Sequence, residues 1–166
     1  VFTGRMDGRL TVTPATLTVA ATAATREYGA VDPAFAATVT GFKNGENLAT
    51  ATSGSYVFAA TATATSGIGQ YRVDVTGLTS PSGNYVFAQD AANATALTVT
   101  PATLTVSGIT ANSKPYDGTD AATLSVSTVS YNGVFAVDAN DTNKLAVNTA
   151  SLQGLFEDAN AGVNKD

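Results

Sequence analysis

Cysteine and histidine are both absent from the 166 residues, and charged side chains make up only 13% of them. Without cysteine there is no disulfide and no thiolate nucleophile. Without histidine there is no imidazole base, and without either there is no zinc site of the usual kind. Lys and Arg number 8 against 13 Asp and Glu, a net charge of −5. A nucleic-acid partner would need a basic stripe to neutralise phosphates, and docking on anionic lipid would need clustered Lys and Arg. Neither is present. No apolar run approaches membrane-spanning length, so no membrane insertion is expected. Long Lys/Glu-rich amphipathic stretches, the usual mark of surface helices, are also missing. No signal peptide is visible, and the chain starts in mid-pattern at Val1-Phe2.

What the chain does contain is Thr, Ala, Val, Ser, Asn and Gly in excess, with an ordinary apolar content of 44%. Thr and Val favour strands because a β-branched side chain suits a pleated surface. The most informative feature is a duplication. Leu10 to Val19 reads LTVTPATLTV, and Leu97 to Val106 reads the same ten letters, 87 residues further on. The match spreads outward. Val1-Phe2 precedes the first copy and Val86-Phe87 the second, while Arg26-Glu27-Tyr28-Gly29 lies opposite Lys114-Pro115-Tyr116-Asp117.

Each half of the block alternates an apolar residue with Thr, which predicts a strand with one apolar and one hydroxyl face. Pro14 and Pro101 separate the halves. Proline cannot donate to a ladder and keeps its predecessor extended. The block is therefore expected to be the closing strand of one module running straight into the opening strand of the next. This predicts tail strands of a preceding module over 1–13, one complete module over 14–100, and a second, truncated module over 101–166. The lack of a Gly/Ser linker predicts a stiff or semi-stiff string of modules.

Further strands are predicted at Phe35–Thr40, Tyr56–Ala64, around Tyr71, Val73 and Val75 with Arg72 and Asp74 facing out, at Tyr85–Ala88 and at Ala96–Val99. In the second module they are predicted at Thr123–Ser130 and Leu145–Thr149. Turn chemistry separates them at Asn44-Gly45, Ser66-Gly67-Ile68-Gly69 and Ser80-Pro81-Ser82-Gly83-Asn84. Short strands at regular spacing predict an all-β chain of tandem small β-sandwich-like modules. A helical turn at Asn47–Thr52 would instead suit β-grasp-like modules.

These residues bring a family resemblance. Tyr28-Gly29, Asp32-Pro33, Gly69-Gln70-Tyr71, Gly83-Asn84-Tyr85 and the closing LTVTP resemble the MBG repeat of the YGX type. Lys114-Pro115-Tyr116-Asp117-Gly118-Thr119, followed by Phe156-Glu157-Asp158-Ala159-Asn160-Ala161-Gly162 and Lys165, resembles the YDG repeat. Both occur in large secreted bacterial proteins similar to filamentous haemagglutinin and related adhesins. The resemblance implies a structural repeat and brings no catalytic residue with it.

Candidate chemistry is sparse. Tyr28 and Tyr116 are ligand-facing aromatics or, as favoured here, core rings at strand ends with a hydrogen-bonded hydroxyl. Asp138, Asn140 and Asp141 form an oxygen-rich loop of the kind Ca²⁺ uses, but the EF-hand spacing is not met and a solvated turn is expected. Asp158 with Asn160 is judged the same way. Lys43, Lys114 and Lys144 are the candidates for a Lys–Asn isopeptide crosslink, which would require burial. Ser and Thr abound, but no base or orienting partner accompanies them. Alternating Thr rows could form a flat face for sugar or ice; ordinary solvent-exposed strands show the same rows.

No catalytic set, cofactor or metal site is therefore expected. The expected function is that of a stalk or spacer in a secreted or cell-surface bacterial adhesin, supporting adhesion or biofilm formation. The alternative is a module that itself binds glycan or protein. Expected partners are neighbouring modules of the same chain, with surface glycan or protein of host or bacterium as further candidates. Self-association through edge strands remains open.

Overall fold

The fold was obtained as a computed structural model and is described for residues 8, 10–136, 138 and 145–163. The chain divides into two compact units, one ending at Pro101 and the other beginning at Ala102. The chain is mostly strand, and the class is all-β.

The first unit contains β1 (Ala15–Ala21), β2 (Ala24–Glu27), β3 (Ala37–Thr40), α1 (Leu48–Ala51), β4 (Ser53–Ala60), β5 (Gly69–Tyr71), β6 (Val73–Thr79), β7 (Tyr85–Gln89), a 3₁₀ turn (Ala91–Thr95) and β8 (Leu97–Thr100). β1 is the centre of a sheet ordered β3-β1-β7, and β8 is the centre of a sheet ordered β2-β8-β5. β4 and β6 pair with each other. β1 runs parallel to β7, and β2 runs parallel to β8. Parallel partners require long crossovers; here each crossover holds the intervening strands of the unit.

The duplicated decapeptide thus supplies both central strands of one unit. The second half of the first copy is β1, and the first half of the second copy is β8. Alternation places Leu17, Val19 and Ala21 of β1 and Leu97 and Val99 of β8 inside, with the threonines turned outward. Val19, Ala21, Leu97 and Val99 join Val73 and Val75 in the main core, rimmed by Phe35, Tyr56, Phe58, Tyr71 and Phe87. The Phe35 and Phe58 rings lie 5.8 Å apart, and Tyr56 and Phe58 lie 6.0 Å apart, within the range of favourable aromatic pairs. Leu17, Ala51 and Tyr85 form a second, smaller cluster.

α1 is the helical turn of the β-grasp-like alternative. Asn47 caps it: its side-chain oxygen accepts from the N–H groups of Ala49 and Thr50, and its own N–H donates to the Thr50 hydroxyl. This capping box holds a helix too short to persist on propensity. Its one buried residue, Ala51, packs beside Leu17 and Tyr85.

Several predicted strands shift. That around Tyr71, Val73 and Val75 is two strands in different sheets. The break falls at Arg72, whose carbonyl accepts from Thr61 N–H at 2.9 Å while β5 turns to β8 and β6 to β4. Arg72 and Asp74 do face out and pair at 2.6 Å. Phe35–Thr40 begins at Ala37, and Tyr56–Ala64 runs instead over Ser53–Ala60. Asn44-Gly45 is the expected turn: both residues have positive φ, and Glu46 N–H returns to the Lys43 carbonyl.

The second unit contains β9 (Thr105–Ser107), β10 (Thr110–Ala111), β11 (Ala121–Ala122), β12 (Leu124–Ser125), β13 (Ser130–Asn132), a 3₁₀ turn (Thr149–Ser151) and β14 (Gly154–Leu155). They pair two by two: β9 with β13, β10 with β12, and β11 with β14. The predicted strand Thr123–Ser130 is interrupted by a turn that Val129 N–H closes onto the Val126 carbonyl. Leu145–Thr149 is not a strand, because the Asn148 side chain accepts from Ala150 N–H and starts the 3₁₀ turn. Among the described residues, the second unit has no fully buried side chain.

Candidate functional site

In the first unit several motif residues, and Arg26 two positions before Tyr28, serve as struts. Arg26 is buried at the end of β2, its side chain only 3% exposed. Its Nε donates to Asp32 Oδ1 at 2.6 Å, Nη2 to the Thr63 carbonyl at 2.6 Å, and Nη1 to the Glu27 carbonyl at 3.2 Å. A buried guanidinium is tolerated only with its donors engaged, and here it ties two loops to one strand. Tyr28 follows, packed on the main core, and Gly29 takes a φ of 79°. That is the core ring and tight turn expected of Tyr28. Tyr71 donates its hydroxyl to the Gly67 carbonyl at 2.8 Å.

Tyr85 is buried edge-on to Phe42, with ring centroids 6.2 Å apart. Its hydroxyl donates to the Glu46 carboxylate and accepts Lys43 N–H at 2.9 Å, which pins the Asn44-Gly45 turn. The hydrogen bond to Glu46 raises the pKa of the Tyr85 phenol above its ordinary value.

Asn93 carries no signal in the sequence. It is buried, 1% exposed, within the 3₁₀ turn between β7 and β8. Its oxygen accepts from Ala21 N–H at 2.8 Å, and its amide donates to the Val19 carbonyl at 3.0 Å and to Gln89 Oε1 at 2.7 Å. Gln89 in turn exchanges hydrogen bonds with both backbone groups of Val75. The side-chain amides replace ladder bonds where the 3₁₀ turn interrupts pairing.

In the second unit the two separated motifs meet. Lys114 Nζ donates to Asp117 Oδ1 at 2.9 Å, to the Thr119 carbonyl at 2.9 Å and to the Thr119 hydroxyl at 2.8 Å. It lies 5.9 Å from the centroid of the Phe156 ring, a cation–π distance. Asp117 also accepts the Thr119 N–H and hydroxyl. The Lys114 ammonium, with those two further donors, holds the Asp117 carboxyl at about 2. Lys114 and Arg26 occupy equivalent places in the duplication, and each binds one carboxylate and at least one carbonyl oxygen.

Beside this hub lies a cleft of about 350 Å³, lined among others by Lys114, Tyr116, Phe156, Asp158 and Asn160. Tyr116 corrects the expectation of a core ring. It is 71% exposed at the cleft, in a unit that has no buried residue among those described to pack behind the ring.

The remaining candidates do not assemble. Lys43 is exposed, which does not suit a crosslink. Lys114 is half-buried and engaged as described, and Lys144 lies outside the described residues. So do Asn140 and Asp141. Asp138 donates its backbone N–H to the Phe135 carbonyl. Asp158 accepts Asn160 N–H at 2.6 Å, closing a local turn. Among the described residues no three Asp or Glu side chains group to hold a metal ion, and no helix is long and apolar enough to cross a membrane.

These observations agree with comparisons against known families. The family model for the MBG domain (YGX type) matches residues 17–105, more than half of the chain. The chain belongs to the MBG family. The YDG domain model matches residues 100–166, so an MBG domain is followed by a YDG domain. The two matches overlap across Pro101, where the MBG domain's β8 gives way to the YDG domain. MBG and YDG domains are found in surface adhesin-like proteins. No curated protein and no solved structure matches the chain.

Proposed function

We propose that the MBG–YDG chain is a non-catalytic stalk or spacer of a secreted or cell-surface bacterial adhesin, and that it supports adhesion or biofilm formation by carrying other parts of that protein. One observation carries this reading: most of the motif side chains, and Arg26 beside them, are engaged in contacts that hold each module's own loops in place. Arg26, Asp32, Tyr71 and Tyr85 bind loops to strands in the MBG domain, and Lys114 and Asp117 close the 114–119 loop on itself beside Phe156 in the YDG domain. None is left poised beside a nucleophile, as catalysis would need. The chain runs from β8 through Pro101 into the second unit with no Gly/Ser linker, which suits a tandem array of modules.

Single-molecule stretching tests the proposal. The expected record is repeated unfolding and refolding of the modules, with no binding on a glycan array. The exposed Tyr116 at its cleft favours a second reading, in which the YDG domain holds a sugar against the ring. Glycan affinity abolished by Tyr116→Ala would establish that reading in place of the first.

A further inference from the structure

Tension along the chain enters the MBG domain at Pro14, before β1, and leaves at Pro101, after β8. Each of these two strands is the centre of its sheet, so neither can be peeled from a free edge. β1 is parallel to β7 over Ala15–Val19 and Tyr85–Gln89, and β2 is parallel to β8 over Ala24–Glu27 and Leu97–Thr100. The opening stretch 15–27 therefore lies alongside the closing stretch 85–100, start beside start and end beside end. A pull on the N-terminal side drags β1 backward along β7, which is held from its far end through β8. A pull on the C-terminal side drags β8 forward along β2, which is held through β1. Both ladders are loaded along their strands, so their evenly spaced hydrogen bonds share the force instead of opening one at a time.

Asn93 bridges the break between the two ladders. Its oxygen accepts from Ala21 N–H and its amide donates to the Val19 carbonyl, to which Asp90 N–H also donates. Past the break, Ala24 N–H donates to the Ala96 carbonyl and Tyr28 N–H to the Thr100 carbonyl. Leu17, Val19, Leu97 and Val99 are at most 2% exposed, which keeps water from competing for the bonds around them. We propose that stretches 15–27 and 85–100, bridged by Asn93, form a mechanical clamp that sets the force at which the MBG domain unfolds. This rests on the spacer reading and deepens it, because a spacer transmits tension and the clamp is the part of the fold that resists it. The β4–β6 ribbon lies off this path and opens only after the clamp has slipped.

Stretching the full chain between introduced cysteines tests the clamp, since no natural cysteine competes. T13C/T103C handles load both ladders lengthwise. T13C/S82C handles pull β1 and β7 apart from the end they share at Ala15 and Tyr85, so the pairs open in turn. Forced unfolding is governed by the unfolding barrier, and the lengthwise geometry is expected to need at least about twice the force of the other. Equal forces overturn the proposal. Asn93→Ala and Gly77→Ala then separate the clamp from general stability. A Cβ on Gly77 would sit 2.2 Å from the Ser55 carbonyl oxygen and strain the ribbon. The ribbon is still intact when the clamp slips, so G77A is expected to lower the urea midpoint while leaving the lengthwise force nearly unchanged. N93A is expected to lower both, and a lengthwise force no lower in N93A than in G77A overturns the bridging role. The handle comparison uses no destabilised variant, so it decides the clamp even where N93A does not fold. Equal forces with no glycan affinity would remove the clamp and leave the spacer reading in place. Glycan affinity lost in Tyr116→Ala would remove the spacer reading and leave the two forces as they are.

Discussion

Asn93 shows how much one side chain can carry in a small β unit. It satisfies backbone groups of Val19 and Ala21, 74 and 72 residues away, and anchors the Gln89 amide as well. Asn93→Ala leaves the Ala21 N–H without its partner, and a buried donor so stranded costs on the order of 1–3 kcal/mol. Urea titration followed by circular dichroism should place the loss for the first unit near the upper end. Nothing in the Ala-rich run from Asp90 to Thr95 signals this role, because the partners are distant in sequence and amides are ordinarily solvated. Arg26 was hidden for the same reason: a guanidinium belongs at the surface unless something unseen pairs with it. Tyr28 was legible and Tyr116 was not, although the two occupy matching positions. The difference is whether a core exists behind the ring. Asp117 supplies a pH test. Its folded pKa is lowered to about 2 from 3.8. The stabilisation is therefore present above the unfolded value and fades as pH falls through the folded one. D117N should be less stable than the parent at neutral pH. The gap should close between about pH 4 and about pH 2 in acid titrations of the YDG domain.

Among the elements, the β4–β6 ribbon depends on two glycines. Gly54, paired with Leu78, and Gly77 have φ of 97° and 92° where the register shifts between Gly54 and Val57. A Cβ on Gly77 would sit 2.2 Å from the Ser55 carbonyl oxygen, and backbone cannot retreat as a side-chain tip can. Gly77→Ala is expected to destabilise the first unit by about 2 kcal/mol through clash and a forced left-handed conformation. Gly67→Ala, where no atom lies within 4 Å of the new Cβ, should be close to neutral in the same assay. The strands themselves were largely legible as period-2 alternation, and the turns as Asn-Gly and Ser-Pro-Ser-Gly. Pairing was not. Alternation says which face is buried but not which strand lies alongside, so the parallel β1–β7 and β2–β8 pairs and the sheet change at Arg72 could only come from the three-dimensional structure.

At the scale of the molecule, the two units differ in depth of core. The MBG domain closes around buried Leu17, Val19, Val73, Val75, Leu97 and Val99. In the YDG domain the equivalents of Leu17 and Val19, namely Leu104 and Val106, are 41% and 47% exposed, and its strands are two or three residues long. Apolar burial is the main stabilising term, so the units should not melt together. Hydrogen exchange read by mass spectrometry should show residues 102–136 and 145–163 losing protection well before 15–100 on warming, and a single shared transition would contradict this. The duplication was plain in the sequence. That it furnishes both central strands of one unit was not. This has a genetic corollary. Recombination between the two copies of the decapeptide excises or inserts 87 residues in frame, and the product carries the same ten residues across the seam. A lineage can therefore change the length of such a protein by whole modules without inventing a new junction.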